Sequence, residues 1–565
     1  MTILFYIEVL FALLFSVLLI IKNFSILSII AFILGLIFSV WFGFCSYAFF
    51  KNTTQKRMIK LRKTMQYVPF VCIAIFIMSR TIDAESLNGR EFMDGILAVY
   101  WICLIIFNRI LLFRLNDKRV QKYFPKLIGF NVKKKHSVFF EIIEWVDAII
   151  QAACVVFLFT VFIFQLYVIP SESMVSQFMI GDRVAGVKFL SGPTFPLSSF
   201  RFPQFHKYER GDVVIIRNPH YENEPNNELK FFMSQLIQYF TLTTVNINKD
   251  ENGNVKADPL VKRIVGLAGE KVMLVDGVLY IKKAGEKEFK PFDESSYVIW
   301  NLSALPQSEL KYVRDKEKMT TEKLNKLQSV EALRANVDFA EAEKEADILI
   351  QKMKEIKGKP DSVFSANDFL SKGQYLINRM AQDNEIIASK ILTTDGGLIW
   401  FENFLKGQNT QKNFSKYNLY EKRNAQLNVL IKTAFGKLFV RNAELYKENA
   451  SKEKLVSDEE RINIIGELEE YLFYLAFSSQ RNMNEFPQGE EEYIPEGNYF
   501  MMGDNRFNSL DMRHEYKYHI EELNADDQFS ILFITNVKPR YIPSSKMLGT
   551  VNFILYPFSR FGKVK

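Results

Sequence analysis

The stretch 149-IIQAACVVFLFTVFIFQLYVIPSESMVSQFMIGD-182 changes character once, near residue 169. Up to Ile169 it carries no charge and is long enough to cross a bilayer, which takes about 20 residues. Beyond it come Pro170, Ser171, Ser173, Ser176 and Gly181-Asp182, the composition of a turn-rich surface segment. A chain that leaves a membrane here has an anchored part before residue 169 and an exposed part after it.

Towards the N-terminus, four further apolar runs cover about 3–21, 24–50, 67–78 and 93–112, the first two separated only by Lys22-Asn23. The reading is two transmembrane helices in 1–50, two more with basic cytoplasmic loops in 51–138, and a fifth in 139–168. Loop charge sets the orientation. Segment 51-KNTTQKRMIKLRK-63 is basic without an acid. Segment 109–135 holds Arg109, Arg114, Lys118, Arg119, Lys122, Lys126 and Lys133-Lys134-Lys135 against Asp117 alone, whereas 80-RTIDAESLNGRE-91 is nearly balanced. Both basic loops belong in the cytoplasm, so the N-terminus is inside and everything after 169 is outside. No Lys or Arg precedes the first run, Glu8 interrupts it and no Ala-x-Ala follows, so it reads as a retained anchor and not a cleaved leader.

The 565-residue average of 48% hydrophobic and 24% charged residues hides this segregation and excludes both a wholly soluble and a wholly disordered chain. A net charge of +7 is modest at this length and gives no basis for nucleic-acid binding. Cys45, Cys72, Cys103 and Cys154 all lie in the apolar third, so the exposed part has no disulfide, thiolate metal site or cysteine nucleophile.

Towards the C-terminus, 182-DRVAGVKF-189, 211-GDVVIIRN-218, 261-VKRIVGL-267 and 272-VMLVDGVLYIKK-283 read as strands, the last folded at Asp276-Gly277. From about 306 to 482 the spacing becomes helical with i,i+4 charge pairs, as in 308-SELKYVRDKEKMTTEKLNKLQSVEAL-333. Strand character returns at 498-NYFMMGDNR-506 and 547-MLGTVNFILYP-557. A mainly-β unit in 169–282 and 491–565 is thus interrupted by a mostly helical insertion in 283–490.

Four blocks carry the chemistry: 169-IPSESMVSQFMIGD-182, 210-RGDVVIIRNP-219, 261-VKRIVGLAGEKV-272 and 503-GDNRFNSLDMR-513. In this order after a membrane span, they resemble the type I signal peptidases (leader peptidases) of bacteria, whose blocks have the form IPSxSM, RGDVV, VKRxVGxPGD and GDNRxNSxDSR. The resemblance implies a multi-span α-helical membrane N-terminus and an extracytoplasmic catalytic β domain, here carrying the insertion. It implies a serine endopeptidase of the bacterial cytoplasmic membrane that cuts signal peptides after a small-x-small pattern. Its partners would be preproteins, the lipid bilayer and the secretion machinery, with no cofactor and no metal.

By that resemblance Ser173 is the nucleophile, Lys262 the general base, Ser171 an oxyanion donor and Ser509 the group that orients the lysine amine. Arg263, Gly503, Asp504, Asp511 and Arg513 form a structural network, with Arg263 and Asp504 paired, while Ile169 and Val261 line substrate pockets. The chemistry agrees: a serine hydroxyl needs a base, and lysine serves only as the neutral amine, in a dry setting such as Val261, Ile264 and Val265 supply. The chain departs from the pattern at Glu172, a possible charge beside the nucleophile, and at Val175-Ser176, Ala268, Phe507 and Met512. These departures leave a second reading, a catalytically weak paralogue acting as a membrane-anchored scaffold. A Ser-His-Asp mechanism would need histidine where Lys262 stands, and His514 is expected at the surface. The match of 451-SKEK-454 to another Ser-x-x-Lys family lacks its companion motifs.

Overall fold

The computed structural model describes residues 2–564 except 22–23, 82–89, 117–118, 126, 128–137, 223–226, 242–243, 251, 315–318, 363–368 and 408–415. The Lys22-Asn23 connector, most of the balanced 80–91 loop, Asp117, Lys118, Lys126, Lys133-Lys134-Lys135 and His136 lie outside the described residues.

Among the described residues, five helices are long and apolar enough to cross a membrane: Thr2–Ile20, Ile26–Lys51, Gln55–Arg80, Glu91–Arg114 and Val138–Phe162. The first four pack around Phe5, Phe15, Phe42, Phe49, Phe76 and Leu104. Pro69 sits inside the third helix, and its missing N–H leaves the Met65 carbonyl without a helical donor. Asn108 Nδ2 supplies one at 2.9 Å and also donates to Glu8, so a backbone break inside the bundle is satisfied by a neighbouring helix. The basic segment 51–63, expected as a loop, begins this third helix from Gln55 onward, which explains why its apolar run looked short. The fifth helix leaves Trp145 and Ile149 exposed and meets the bundle through Asp147, which accepts from Tyr67 at 2.5 Å and pairs with Lys63 at 3.0 Å, and through Phe162, which packs on Trp101.

That helix stops at Phe162, short of the expected 168, and Phe164–Val168 is strand β1. Phe164, Leu166 and Val168 are exposed while Gln165 is buried and Tyr167 half-buried, the two-residue period of a sheet. β1 is an edge strand. It pairs antiparallel with β2 (Arg183–Val187), from Phe164 opposite Val187 to Val168 opposite Arg183. A curled antiparallel sheet follows in the order β1-β2-β13-β3-β4-β9-β12, with β3 Val213–Ile216, β4 Leu260–Gly266, β9 Asn498–Met502, β12 Ile542–Pro543, β13 Met547–Tyr556 and β14 (Gly562–Lys563) beside β13. A smaller sheet has the order β7-β6-β5-β8, formed by Lys290–Phe292, Val278–Lys283, Glu270–Val275 and Met483–Phe486. Hairpin β10–β11 (His514–Glu522 and Leu532–Val537) and the amphipathic helix Asn227–Phe240 were not anticipated.

The insertion's helices run from Gln307 to Arg481. Its long helix Leu419–Lys447 opens with a capping box between Asn418 and Glu421 and buries Leu427, Ile431, Phe435 and Phe439 against Trp400 and Phe404. Phe507, Phe529 and Leu532 from the β part join the same core. Strands β7 and β8, inside the range 283–490, pair with β6 and β5, so both ends of the insertion are anchored on one sheet.

The β5–β6 hairpin turns through Asp276 (φ 54°) and Gly277 (φ 80°), and a Cβ on Gly277 would lie 2.8 Å from Arg481 Nη1. Gly277→Ala should therefore destabilise the exposed part by roughly 1–3 kcal/mol, read as a lower melting temperature of the full chain in detergent; an unchanged melt would contradict this packing.

Candidate active site

Lys262 sits mid-strand in β4, opposite Val214 of β3, and is 2% exposed among Ile264, Val265 and Val214. A lysine here is buried along its whole length, amine included. Ser173 arrives from the other direction, on the turn that β1 feeds. Ile169 N donates to Asp182 O and Gly181 N donates to Ile169 O, both at 2.9 Å, closing the loop at its base. The Asp182 carboxylate accepts from Met179 N at 2.8 Å and pairs with Arg560 at 3.1 Å.

These two elements place Lys262 Nζ 2.8 Å from Ser173 Oγ. Ser173 is half-buried, so its hydroxyl is reachable, and Ser171 Oγ lies 3.4 Å from it. Burial pushes the Lys262 amine down to about 8; the Asp511 and Asp504 charges oppose that shift and Arg513 favours it. The two carboxylates are largely neutralised elsewhere. Asp504 takes two hydrogen bonds from Arg263, at 2.8 and 2.7 Å. Asp511 takes two from the Arg513 guanidinium, at 2.8 and 3.0 Å, one from Arg513 N at 3.2 Å and one from Gly503 N at 2.9 Å. Although burial alone would raise the Asp511 carboxyl, Arg513 holds it below the ordinary carboxylate range.

Gly503 has a steric role. A Cβ there would meet Ser509 Oγ at 2.2 Å and Ser173 O at 2.4 Å, so only glycine lets the fourth block close on the serine turn. Next to it, Asn505 N donates to Ser173 O and Asn505 Nδ2 to Glu172 O, both at 3.1 Å. Ser509 is buried and its Oγ has no hydrogen-bond partner, so the expected bond to the lysine amine is not formed in this arrangement. Ile169 is buried in an apolar cluster with Met174, Phe178 and Val213, against which half-buried Val261 packs.

Two expectations need correction. The Glu172 carboxylate is turned away into hydrogen bonds of its own: it is 4% exposed, Arg314 N donates to its Oε1, and Asn508 Nδ2 donates to its Oε2 at 3.1 Å. His514 is not at the surface but 4% exposed, with Nε2 3.1 Å from Ser479 O at the end of an insertion helix. Burial, aided by Arg513, pushes its imidazole down to about 4. The Ser451-Lys454 pair is a helix cap, with Lys454 N donating to Ser451 Oγ at 3.3 Å. Sequence reasoning also missed that Val175 and Met179 of the Ser173 turn pack on Leu302, Leu305 and Val313, at the start of the insertion. Nothing local in the sequence signals contacts over such separations.

A family model described as signal peptidase, peptidase S26, matches residues 142–343 and 432–556. The chain is also similar to signal peptidase I of Rickettsia bellii, 27% identical over 146 residues, covering 24% of this chain and 38% of that protein. Signal peptidase I of Haemophilus influenzae is 25% identical over 173 residues (31% and 47%), and that of Bacillus licheniformis 26% over 162 (29% and 59%). The chain therefore spans 38% to 59% of the length of these relatives.

The bonds around Glu172 give a charge-swap test. Glu172→Gln turns an amide N–H towards one of the two donors and should cost roughly 1–3 kcal/mol. Adding Asn508→Asp re-forms the contact with donor and acceptor exchanged, so the double variant should melt closer to the parent than either single one. A double variant no better than the sum of the two would disprove the pairing.

Proposed function

The chain belongs to the signal peptidase family, peptidase S26, and on that premise we propose that it is a membrane-bound serine endopeptidase that removes signal peptides from exported preproteins. The observation that carries this reading is the 2.8 Å contact between a buried amine and a reachable serine hydroxyl. The amine's hydrogen bond goes to that hydroxyl and not to a carboxylate, which leaves it free to act as a base.

In the proposed reaction neutral Lys262 takes the proton of Ser173 as Oγ adds to the scissile carbonyl. The oxyanion would take hydrogen bonds from Ser173 N–H and the Ser171 hydroxyl, one such donor being worth about 3 kcal/mol. The lysine ammonium then gives its proton to the departing amine, leaving an acyl-Ser173 ester. Water, deprotonated by the same amine, cleaves that ester and restores the serine. Arg263, Asp504, Asp511 and Arg513 hold the walls and keep their charges paired with each other.

The sheet edge supports the substrate assignment. β1 is unpaired on one side and leads directly into Ser171, so an extended peptide could add to it through backbone hydrogen bonds. Ile169 and Val261, in one apolar cluster beside the turn, would limit the flanking side chains to small ones. Exposed Phe164, Leu166 and Val168 on β1, with Phe553 and Phe558 nearby in the fold, fit a bilayer surface. We place the site on the extracytoplasmic side of a bacterial cytoplasmic membrane, with the N-terminus inside and the secretion machinery delivering substrate.

Cleavage of a model preprotein in lipid by the intact chain should fall at least about 10³-fold in Ser173→Ala and in Lys262→Ala. Rates equal to the parent would overturn the hydrolase reading and leave the scaffold one. Because the base form grows as pH rises through about 8, kcat/KM should climb through that range and level off above it. A rate still climbing at pH 10 would mean an amine with an ordinary lysine pKa.

A further inference from the structure

A cavity of about 320 Å³ lies away from Ser173, between the C-terminal end of the fifth membrane helix and the amphipathic helix Asn227–Phe240. That volume is at the small end of the range that holds organic ligands. Phe157 and Val161 of the membrane helix form one wall, and Phe231 and Leu236 of the amphipathic helix the other. Since one wall is the end of a membrane helix, the cavity adjoins the bilayer.

Its polar lining is cationic. Lys188 is 9% exposed, and its Nζ makes one hydrogen bond, to Gln165 Oε1 at 2.6 Å. An ammonium has three N–H donors, so two remain unused, and no carboxylate offsets the charge among the described residues. Burial accordingly pushes this amine down to about 7. Arg201 is also without a carboxylate: it is held by the backbone carbonyls of Ser191, Gly192, Ser544 and Met547. By contrast, Arg217 in the same lining is matched by Glu228 and Asp258, and Lys546 by Glu222. Two uncompensated cations in an apolar chamber at a membrane helix are costly when the chamber holds no anion, and complementary to an anion with an apolar tail.

We propose that this cavity holds the phosphate headgroup of a membrane phospholipid, with Lys188 as the phosphate ligand and the two helices receiving the first acyl carbons. The site is separate from the proposed peptidase chemistry, and the Ser173→Ala chain should bind lipid as well as the parent does.

The test uses the full chain, purified and stripped of lipid in dodecylmaltoside, with phosphatidylglycerol retention read by native mass spectrometry. The parent should retain one equivalent. Lys188→Met, which keeps length and removes the charge, and Leu236→Trp, which fills the chamber, should each retain at least tenfold less. Either variant suffices if the other fails to fold. Diacylglycerol, with the same tails and no phosphate, should compete at least tenfold less well, and inorganic phosphate should not displace the lipid. Undiminished retention in a folded variant, equal competition by diacylglycerol, or displacement by inorganic phosphate would each overturn the proposal. The last result would reassign the chamber to a free anion.

Discussion

The exposed part of this protein is organised around keeping one amine dry. Lys262 lies within the interior strand β4, between β3 and β9, where its neighbours keep water from its nitrogen. Two carboxylates lie close enough to hold a proton on that nitrogen, and each is drawn off by an arginine: Arg263 takes Asp504 and Arg513 takes Asp511. Were either arginine absent, the nearby carboxylate would favour the ammonium. The four-residue charge network is therefore part of the amine's solvation, without touching the serine.

The serine is held by a different part of the chain. Its turn is closed at the base by pairing between Ile169 and the 181–182 segment, and gripped from above by Asn505 through two hydrogen bonds. Glycine at 503 allows that grip. The insertion also takes part: its first residues accept Val175 and Met179 in an apolar contact, and its backbone at Arg314 binds Glu172. A segment that reads as an appendage on the fold is thus a wall of the Ser173 turn.

Much of this was legible because it is local. The strand at 261–267, the Asp276-Gly277 hairpin and the block holding Asp504 each follow from residues within a few positions. The limits are equally physical. Hydropathy did not separate the fifth helix from β1, because Phe164–Val168 carries no charge and continues the uncharged run before it, and only its alternation of exposure marks a strand. His514 reads as polar surface until Ser479, 35 positions earlier, covers it, and Glu172 reads as a stray charge until Arg314, 142 positions later, meets it. Helix 227–240 is hidden between strand-like segments, and its apolar face has no sequence neighbour to reveal what it packs on. Ser509 is the instructive exception: its position in the block suggested a bond, and the packing against Gly503 leaves its hydroxyl alone.

The direct splice of the fifth helix into β1 also acts as a ruler. Only eleven positions separate Phe162, the last helical residue, from Ser173, so fully extended backbone could carry the hydroxyl no farther than about 40 Å from the helix end. Five of those positions are locked in β1. The distance of this hydroxyl from the helix end is thus bounded by covalent length and by a paired strand, and not by a swinging tether.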